Sequence, residues 1–241
     1  MKTGRRLAIA LGLCGAWAGA GAQDGATPRA VVAVMPFSNA SLRDHATYEP
    51  FTVGVAAMLL SELRANPRIQ IIERERLRQV LDELQLAQSG EVDPAGAARA
   101  GRILGARHMI FGAFIIDPRG RLRIDARAVN VQTSEIEHVE TVNDDADNLL
   151  GAVQRLGQQL NRGLRLAGPS DASRPPDAGR QGQLLADLKY ARALQEEDRR
   201  NPARAVQLYR EYLAESPAGY AMAQRQEAEA RIRLLSAPKP F

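Results

Sequence analysis

The chain is poor in the residue types that carry covalent and metal chemistry. It has one cysteine, Cys14, and three histidines among 241 residues. A single cysteine cannot close a disulfide within the chain, so the stability of the fold has to come from its core. His45, His108 and His138 lie far apart, and none forms a ligand-spaced pair. The sequence therefore argues against disulfide scaffolds and histidine-based zinc sites.

Sequence signatures of catalysis are missing too. The chain has no glycine-rich phosphate loop, no nucleophile elbow and no zinc-protease helix. Asp144, Asp145 and Asp147 cluster before a helical pattern. Capping and the helix dipole account for acids in that place, and a calcium site is the alternative. We expect a protein that is not an enzyme and that needs no cofactor and no metal.

Charge of one sign is not in excess outside the first segment. The formal net charge is +4, but Lys2, Arg5 and Arg6 lie in the first 22 residues, which contain no acid. The remainder has 29 basic and 28 acidic residues. A nucleic-acid binder gathers its basic residues on one stripe, whereas here arginines alternate with acids along helical patterns. We therefore expect no nucleic-acid partner.

Residues 1–22 have the pattern of a signal peptide. Three basic residues precede an apolar run that starts at Leu7, and Ala20-Gly21-Ala22 is a small-residue cleavage site. This pattern predicts cleavage between Ala22 and Gln23 and export of the mature chain. The apolar run is too short for a lasting membrane anchor. A lipid anchor at Cys14 is the alternative, but Cys14 follows the bulky Leu13 where a lipoprotein signal has a small residue.

Residues 31–166 have the pattern of one α/β domain. The apolar run Val31–Phe37 predicts a strand buried on both faces, and the polar residues 38–50 predict a loop. Helical and alternating patterns follow in the order β-α-β-α-α-β-β-β-α. This order predicts an α/β (α+β) fold, with helices packed against a mixed sheet. The last strand, 136–142, is the more polar one and is predicted near an edge, and residues 144–166 are predicted to form a long helix.

The last part of the chain has a different composition. Residues 167–182 are rich in proline and glycine and predict a flexible linker. Residues 183–236 contain three helical patterns, of which two resemble one tetratricopeptide unit, so we predict a small all-α segment. Such a unit needs neighbours to bury its faces, which leaves packing on the main domain, self-association and partner binding open. Tyr190, Tyr209 and Tyr212 are candidate partner-binding residues, although aromatic residues at helical spacing usually belong to a core.

Several short motifs in the main domain occur in an order that resembles the CsgG family of bacterial envelope proteins. The motifs are Val32–Asn39 (VAVMPFSN), Ile71–Arg74 (IIER), Ile110–Gly112 (IFG), Arg123–Arg127 (RIDAR) and Val131–Ile136 (VQTSEI). In the last of them, Ser134 stands where the family usually has glycine. Each motif is weak alone, and their combined order from residue 31 to residue 166 is specific.

The resemblance implies a role in the cell envelope. Similar domains occur in the curli secretion component, in LpoB-like activators of peptidoglycan synthases and at the N-terminus of TolB. It implies a periplasmic accessory or scaffold protein that helps to assemble or transport envelope or curli-like surface components. Such a protein would bind other envelope proteins or itself, and an association with the outer membrane is open.

Two alternatives follow from the same resemblance. One is an activator of a peptidoglycan synthase, and the other is a component of an oligomeric outer-membrane secretion channel. A channel needs long membrane-crossing hairpins, with strands of about 9–11 residues each. The tight turns predicted at residues 117–120 and 132–134 leave no room for such insertions.

Overall fold

The computed structural model describes residues 29–84, 93–166, 183–217 and 219–237. Six strands lie in these residues: β1 (Ala30–Val34), β2 (Ser38–Asn39), β3 (Ile69–Ile71), β4 (His108–Ile116), β5 (Arg121–Asn130) and β6 (Ile136–Asp145). The helices there are α1 (His45–Tyr48), α2 (Phe51–Arg64), α3 (Arg74–Glu83), α4 (Pro94–Leu104), α5 (Leu149–Gly163), α6 (Leu184–Asp198), α7 (Pro202–Glu215) and α8 (Met222–Ser236). A short 3₁₀ turn, Ala146–Asn148, precedes α5.

The strands form one mixed sheet in the order β3-β1-β4-β5-β6, with the short β2 beside β4. Strand β1 pairs in parallel with both β3 and β4, because helices cross over between these strands. Strands β4, β5 and β6 form an antiparallel meander joined by tight turns. The predicted mixed sheet is therefore confirmed, and its last strand lies at an edge.

Local sequence signals explain where α4 begins and ends. The Asp93 side chain accepts a hydrogen bond from the backbone N–H of Gly96 at 2.7 Å, and Pro94 occupies the first turn, where no N–H is needed. Gly105 ends the helix with a φ of 68°, a conformation that glycine adopts without a steric penalty. These caps fix the helix that leads into β4.

The two faces of the sheet are covered by different helices. Helices α2 and α5 pack on the first face, where β1 contributes Val32 and Val34 and β5 contributes Ile124 to the core. Helices α3 and α4 pack on the second face, against alternate residues such as Ala33 and Met109. The alternation of side chains along each strand therefore divides the interior into two cores.

Two parts of the main domain differ from the sequence prediction. Residues 38–50 contain β2 and α1 rather than only a loop, because β2 adds to the free side of β4 next to Ala113 and Phe114. Strand β6 continues to Asp145, and α5 begins only at Leu149. Pairing of Asp144 and Asp145 with the start of β5 extends the ladder through residues predicted to be helical.

The C-terminal helices pack on the main domain through α2. Helix α6 lies against α2, and α7 and α8 follow as neighbours, so one apolar core contains residues from both parts of the chain. The contact is close at Gly54, where a methyl group would stand 2.6 Å from the Cβ of Ala191. The linker prediction for residues 167–182 lies outside the described residues.

Candidate functional site: a groove between α2, α3 and α6

A groove opens outside the carboxyl end of β1, where α2, α3 and α6 approach one another. Its volume is about 320 Å³, and it is lined mostly by apolar atoms. Side chains from α2 and α3 form an apolar floor: Val53, Ala57, Leu60, Leu77 and Leu81. Small-molecule and anchor pockets start at roughly this volume, of about 300 Å³, and crevices at the carboxyl ends of parallel strands are common binding positions.

The apolar character of α2 explains why a groove forms beside it. Phe51, Val55 and Leu59 are fully buried in the core on the first face of the sheet. Val53 and Ala57 lie on a different side of the same helix and line the groove. A helix that is apolar all round needs cover on several sides. Because α6 covers only part of the remaining side, a hollow is left between the three helices.

Charged residues surround the mouth of the groove. Arg78 and Asp82 lie on α3, and Asp198 and Arg199 lie at the C-terminal end of α6. Asp198 is close to Arg78, with a carboxylate-to-Nε distance of 3.7 Å. An apolar floor with a polar, charged rim is the usual composition of a site that binds another protein segment.

An ion-pair network holds α3 and α6 in place around the groove. Arg74 Nη1 donates to the Asp198 carboxylate at 2.6 Å, and its Nη2 lies 3.5 Å from Glu197 Oε2. Arg231 of α8 joins the network, with 2.5 Å to Glu75 Oε1 and 3.2 Å to Glu197 Oε2. The side chain of Glu197 is only 8% exposed. The network therefore ties the first turn of α3 to two C-terminal helices.

The environment of Asp198 reflects its position at this junction. Burial raises the pKa of its carboxyl, while the charges of Arg74 and Arg78 act in the opposite direction. A carboxylate in this position depends on its arginine partners to remain charged. The wall that α6 gives to the groove thus depends on Arg74.

The described residues contain no group of three or more His, Cys, Asp and Glu side chains arranged to hold a metal ion. The Asp144 carboxylate accepts a hydrogen bond from Asn148 Nδ2 at 2.8 Å and pairs with Arg155. The histidines lie apart, His108 against Glu137 and His138 against Glu140. Within the described residues, these side chains make structural contacts at separate places.

The predicted partner-binding tyrosines lie together but inside the helical layer. Tyr190, Tyr209 and Tyr212 are at most 1% exposed. The ring of Tyr190 lies 5.9 Å from that of Tyr209 and 5.3 Å from that of Tyr212, measured between ring centroids. In this arrangement the chain's own helices cover the rings, and contact with a partner stays a prediction. The predicted cleavage residues Ala22 and Gln23 lie outside the described residues, as does Cys14.

Sequence reasoning did not identify the groove. The floor residues on α2 and α3 belong to helical patterns, which indicate the faces of helices and not a groove between them. The available signal was the second apolar side of α2, because the buried face formed by Phe51 and Val55 does not account for the apolar residues Val53 and Ala57.

No helix in the described parts of the chain is both long and apolar enough to cross a membrane.

The fold defines an α/β protein with a mixed sheet, two helical layers and a C-terminal helical addition. Residues 19–116 match the model of a family described as curli production assembly/transport component CsgG. The match ends at the last residue of β4 and covers less than half of the chain. The resemblance to the CsgG family is confirmed over this span, so the chain carries a CsgG-like domain. No curated protein sequence matches the chain.

Solved structures show more distant likenesses. The LpoB C-terminal domain from Escherichia coli is 18% identical, with a TM-score of 0.36, over 51% of this chain and 87% of that chain. TolB from Acinetobacter baumannii is 15% identical, with a TM-score of 0.38, over 56% of this chain and 28% of that chain. A PelC dodecamer from Paraburkholderia phytofirmans is 12% identical, with a TM-score of 0.36, over 58% of this chain and 90% of that chain. At these TM-scores the likenesses support no transfer of function.

Proposed function

We propose that this protein is an accessory or scaffold component of the bacterial cell envelope that acts by binding another protein. It works in the periplasm, in the assembly or transport of envelope or curli-like surface material. The CsgG family match supports the compartment and the general role. Action by binding rather than by catalysis is part of the proposal, and a substrate screen for hydrolase activity with the purified chain tests it.

The groove between α2, α3 and α6 is the observation that carries the proposal. Its floor of leucine, valine and alanine side chains accepts apolar side chains, and its rim carries both signs of charge at Arg78, Asp82 and Arg199. A partner that inserts an apolar anchor gains the burial of that anchor, about 25 cal/mol per Å². The charged rim then orients the partner segment that follows the anchor.

A cavity-filling variant tests the groove without disturbing the core. Ala57→Phe places an aromatic ring in the groove, and filling a hollow commonly preserves or raises stability. We expect Ala57→Phe to abolish partner capture in cells. Ala65→Phe is the matched control, because Ala65 is exposed at the other end of α2.

Capture is measured by photocrosslinking from a benzoylphenylalanine placed at Asp82, on the rim of the groove. The expected result is one defined crosslinked species, lost in Ala57→Phe and kept in Ala65→Phe. A crosslink that survives in Ala57→Phe would show that the groove is not the binding site.

Fractionation and intact mass of the same chain test its location. A periplasmic species that starts at Gln23 is expected, and an acylated species that starts at Cys14 would replace the periplasmic assignment with an anchored one.

A further inference from the structure

The second face of the sheet is left partly uncovered by the described residues. Helices α3 and α4 cover β1, β4 and the end of β5. Beyond α4, the outward residues of β5 and β6 are exposed, among them Arg127 and, directly opposite it, Val139. On the first face, by contrast, α5 packs against both β5 and β6. A strip of two strands therefore lies open beside α4.

Apolar side chains line this strip although it is exposed. Val139 is 54% exposed on β6, and Ile136 at the start of the same strand is 41% exposed. Scattered apolar residues are ordinary on a protein surface, but these two lie on the same face of one edge strand, opposite Arg127 and Val129.

Three arginines border the same strip without a carboxylate in hydrogen-bond or ion-pair contact among the described residues. Arg99 and Arg127 make no hydrogen bond or ion pair there, and Arg102 donates only to Val131 O at 3.3 Å and Ser134 Oγ at 3.2 Å. Arg99 and Arg102 are one turn apart on α4 and share a side of that helix.

Of the acids on β5 and β6, Asp125 is engaged and Asp145 is distant, while Glu135, just before Ile136, is exposed. The Asp125 carboxylate accepts from Arg123 Nε at 2.8 Å and from Thr141 Oγ1 at 2.6 Å. Asp145 lies at the far end of β6, opposite Arg121. Arg99 and Arg102 on α4 therefore present positive charge with no carboxylate in contact within the described residues, while the charge of Arg127 acts on Asp125 and helps to lower the pKa of that carboxyl.

We propose that this strip is a second binding surface, distinct from the groove, and that it takes an acidic amphipathic helix of a partner protein. The apolar stripe of such a helix would cover Val139 and Ile136, and its acidic flank would face Arg99, Arg102 and Arg127. Two neighbouring strands, each occupying about 4.8 Å of the sheet, together span about 10 Å, which is close to the diameter of one helix. The bound helix would complete the layer that α3 and α4 begin.

The depth of the strip favours a helix over other anionic partners. Helix α4 stands beside the strip and rises about 10 Å above the sheet, the diameter of a helix. A flat bilayer or a nucleic-acid duplex that touches α4 does not reach Val139 on the floor. The apolar floor also gives nothing to a phosphate backbone, whose affinity comes from basic contacts.

Synthetic helical peptides test this surface on the full chain. One peptide of about 18 residues carries a leucine stripe flanked by glutamates, and a second has lysine in place of every glutamate. Fluorescence anisotropy should show binding of the glutamate peptide only. Arg127→Glu and Val139→Asp should each weaken it by about tenfold or more, because both lie at the centre of the strip.

Matched variants separate this surface from general charge and from the groove. Arg210→Glu reverses an exposed arginine on α7 and should leave binding unchanged, as should Ala57→Phe, which fills the groove. The double variant Arg99→Glu/Arg127→Glu should bind the lysine peptide instead. Equal binding of both peptides, or equal weakening by Arg210→Glu, would overturn the proposal. So would binding of phosphatidylglycerol vesicles or duplex DNA through Arg127 and Val139 with no preference for the peptide.

Discussion

Asp187 is a buried carboxyl group in the first turn of α6. It is 1% exposed, and the Tyr220 hydroxyl donates to it at 3.0 Å. Burial raises its pKa from 3.8 to about 7. Between these pH values the folded chain holds a proton that the unfolded chain releases, so the free energy of unfolding falls as the pH rises through this window.

Replacing this carboxyl by an amide should remove the pH dependence that it causes. As the pH rises from 4 to 8, we expect the free energy of unfolding of Asp187→Asn to increase relative to that of the wild type by roughly 2–4 kcal/mol. Urea unfolding at several pH values measures the difference. Asp82→Asn, at an exposed position, is the control and should show a nearly constant difference. A constant difference for Asp187→Asn as well would contradict the assignment.

Ser134 is a serine in a backbone conformation that favours glycine. It lies in the turn between β5 and β6 with a φ of 63°, in the left-handed region that favours glycine. We expect Ser134→Gly to raise the free energy of unfolding by about 0.5–1 kcal/mol, net of the exposed hydrogen bond from Arg102. Thermal unfolding checks this. Gln132→Gly, in the same turn without a positive φ, should lower stability, and a gain there would point to a different cause.

At the scale of elements, the crossing of α2 and α6 depends on one missing methyl group. A Cβ at Gly54 would stand 2.6 Å from the Cβ of Ala191, closer than two carbon atoms approach. We expect Gly54→Ala to destabilise the protein by about 1–3 kcal/mol, although alanine is the better helix former. Chemical denaturation measures this change.

A methyl swap provides the control for that crossing. Ala191→Gly removes the partner methyl, so Gly54→Ala/Ala191→Gly moves one methyl group from α6 to α2 and keeps the spacing. The double variant should be more stable than the sum of the two single changes predicts, which a double-mutant cycle reports as a coupling energy. Strict additivity would mean that the two helices do not meet at these residues.

Periodicity predicted most elements because each depends on local pattern. An apolar run marked β4, alternation marked β5, and helical spacing marked α2 and α3, so these elements are predicted within a few residues. The errors lie where pairing between distant strands decides the bounds or the existence of an element. Strand β6 takes in Asp144 and Asp145 because β5 pairs with them, and β2 exists because β4 has a free side. Such partners are distant in the chain and leave no signal in a short window.

At the scale of the whole molecule, Arg74 joins the main domain to the C-terminal helices. Removing it by Arg74→Met leaves Asp198 without its closest cation, and Glu197 with only Arg231, in a largely buried site. We expect a loss of about 3–5 kcal/mol in the free energy of unfolding, as for other buried pairs that lose one partner. Arg64→Met is the control, because the Arg64–Glu73 pair is more than half exposed, and it should cost less than about 1 kcal/mol. Similar losses in both variants would show that the network is an ordinary surface feature.

The groove belongs to the same scale, which explains why sequence reasoning missed it. Its walls come from β1, α2 and α3 on one side and from residues near Asp198 on the other. The sequence predicted each helix but left three placements open for residues 183–236. The close contact at Gly54 and the ion pairs of Arg74 and Arg231 hold these helices on the main domain, and none of these contacts is visible as a pattern within one element.

The close packing of α6 on α2 also has a consequence for synthesis. Because synthesis starts at the N-terminal end, α2 is complete long before α6 exists. The apolar side of α2 around Val53 and Ala57 therefore stays exposed until α6 packs against it. During that interval the flank is an open surface for holding factors or for premature association between nascent chains. The groove forms only once α6 has been made, and a shortened protein that lacked residues 183–199 would present a bare ridge there instead of a pocket.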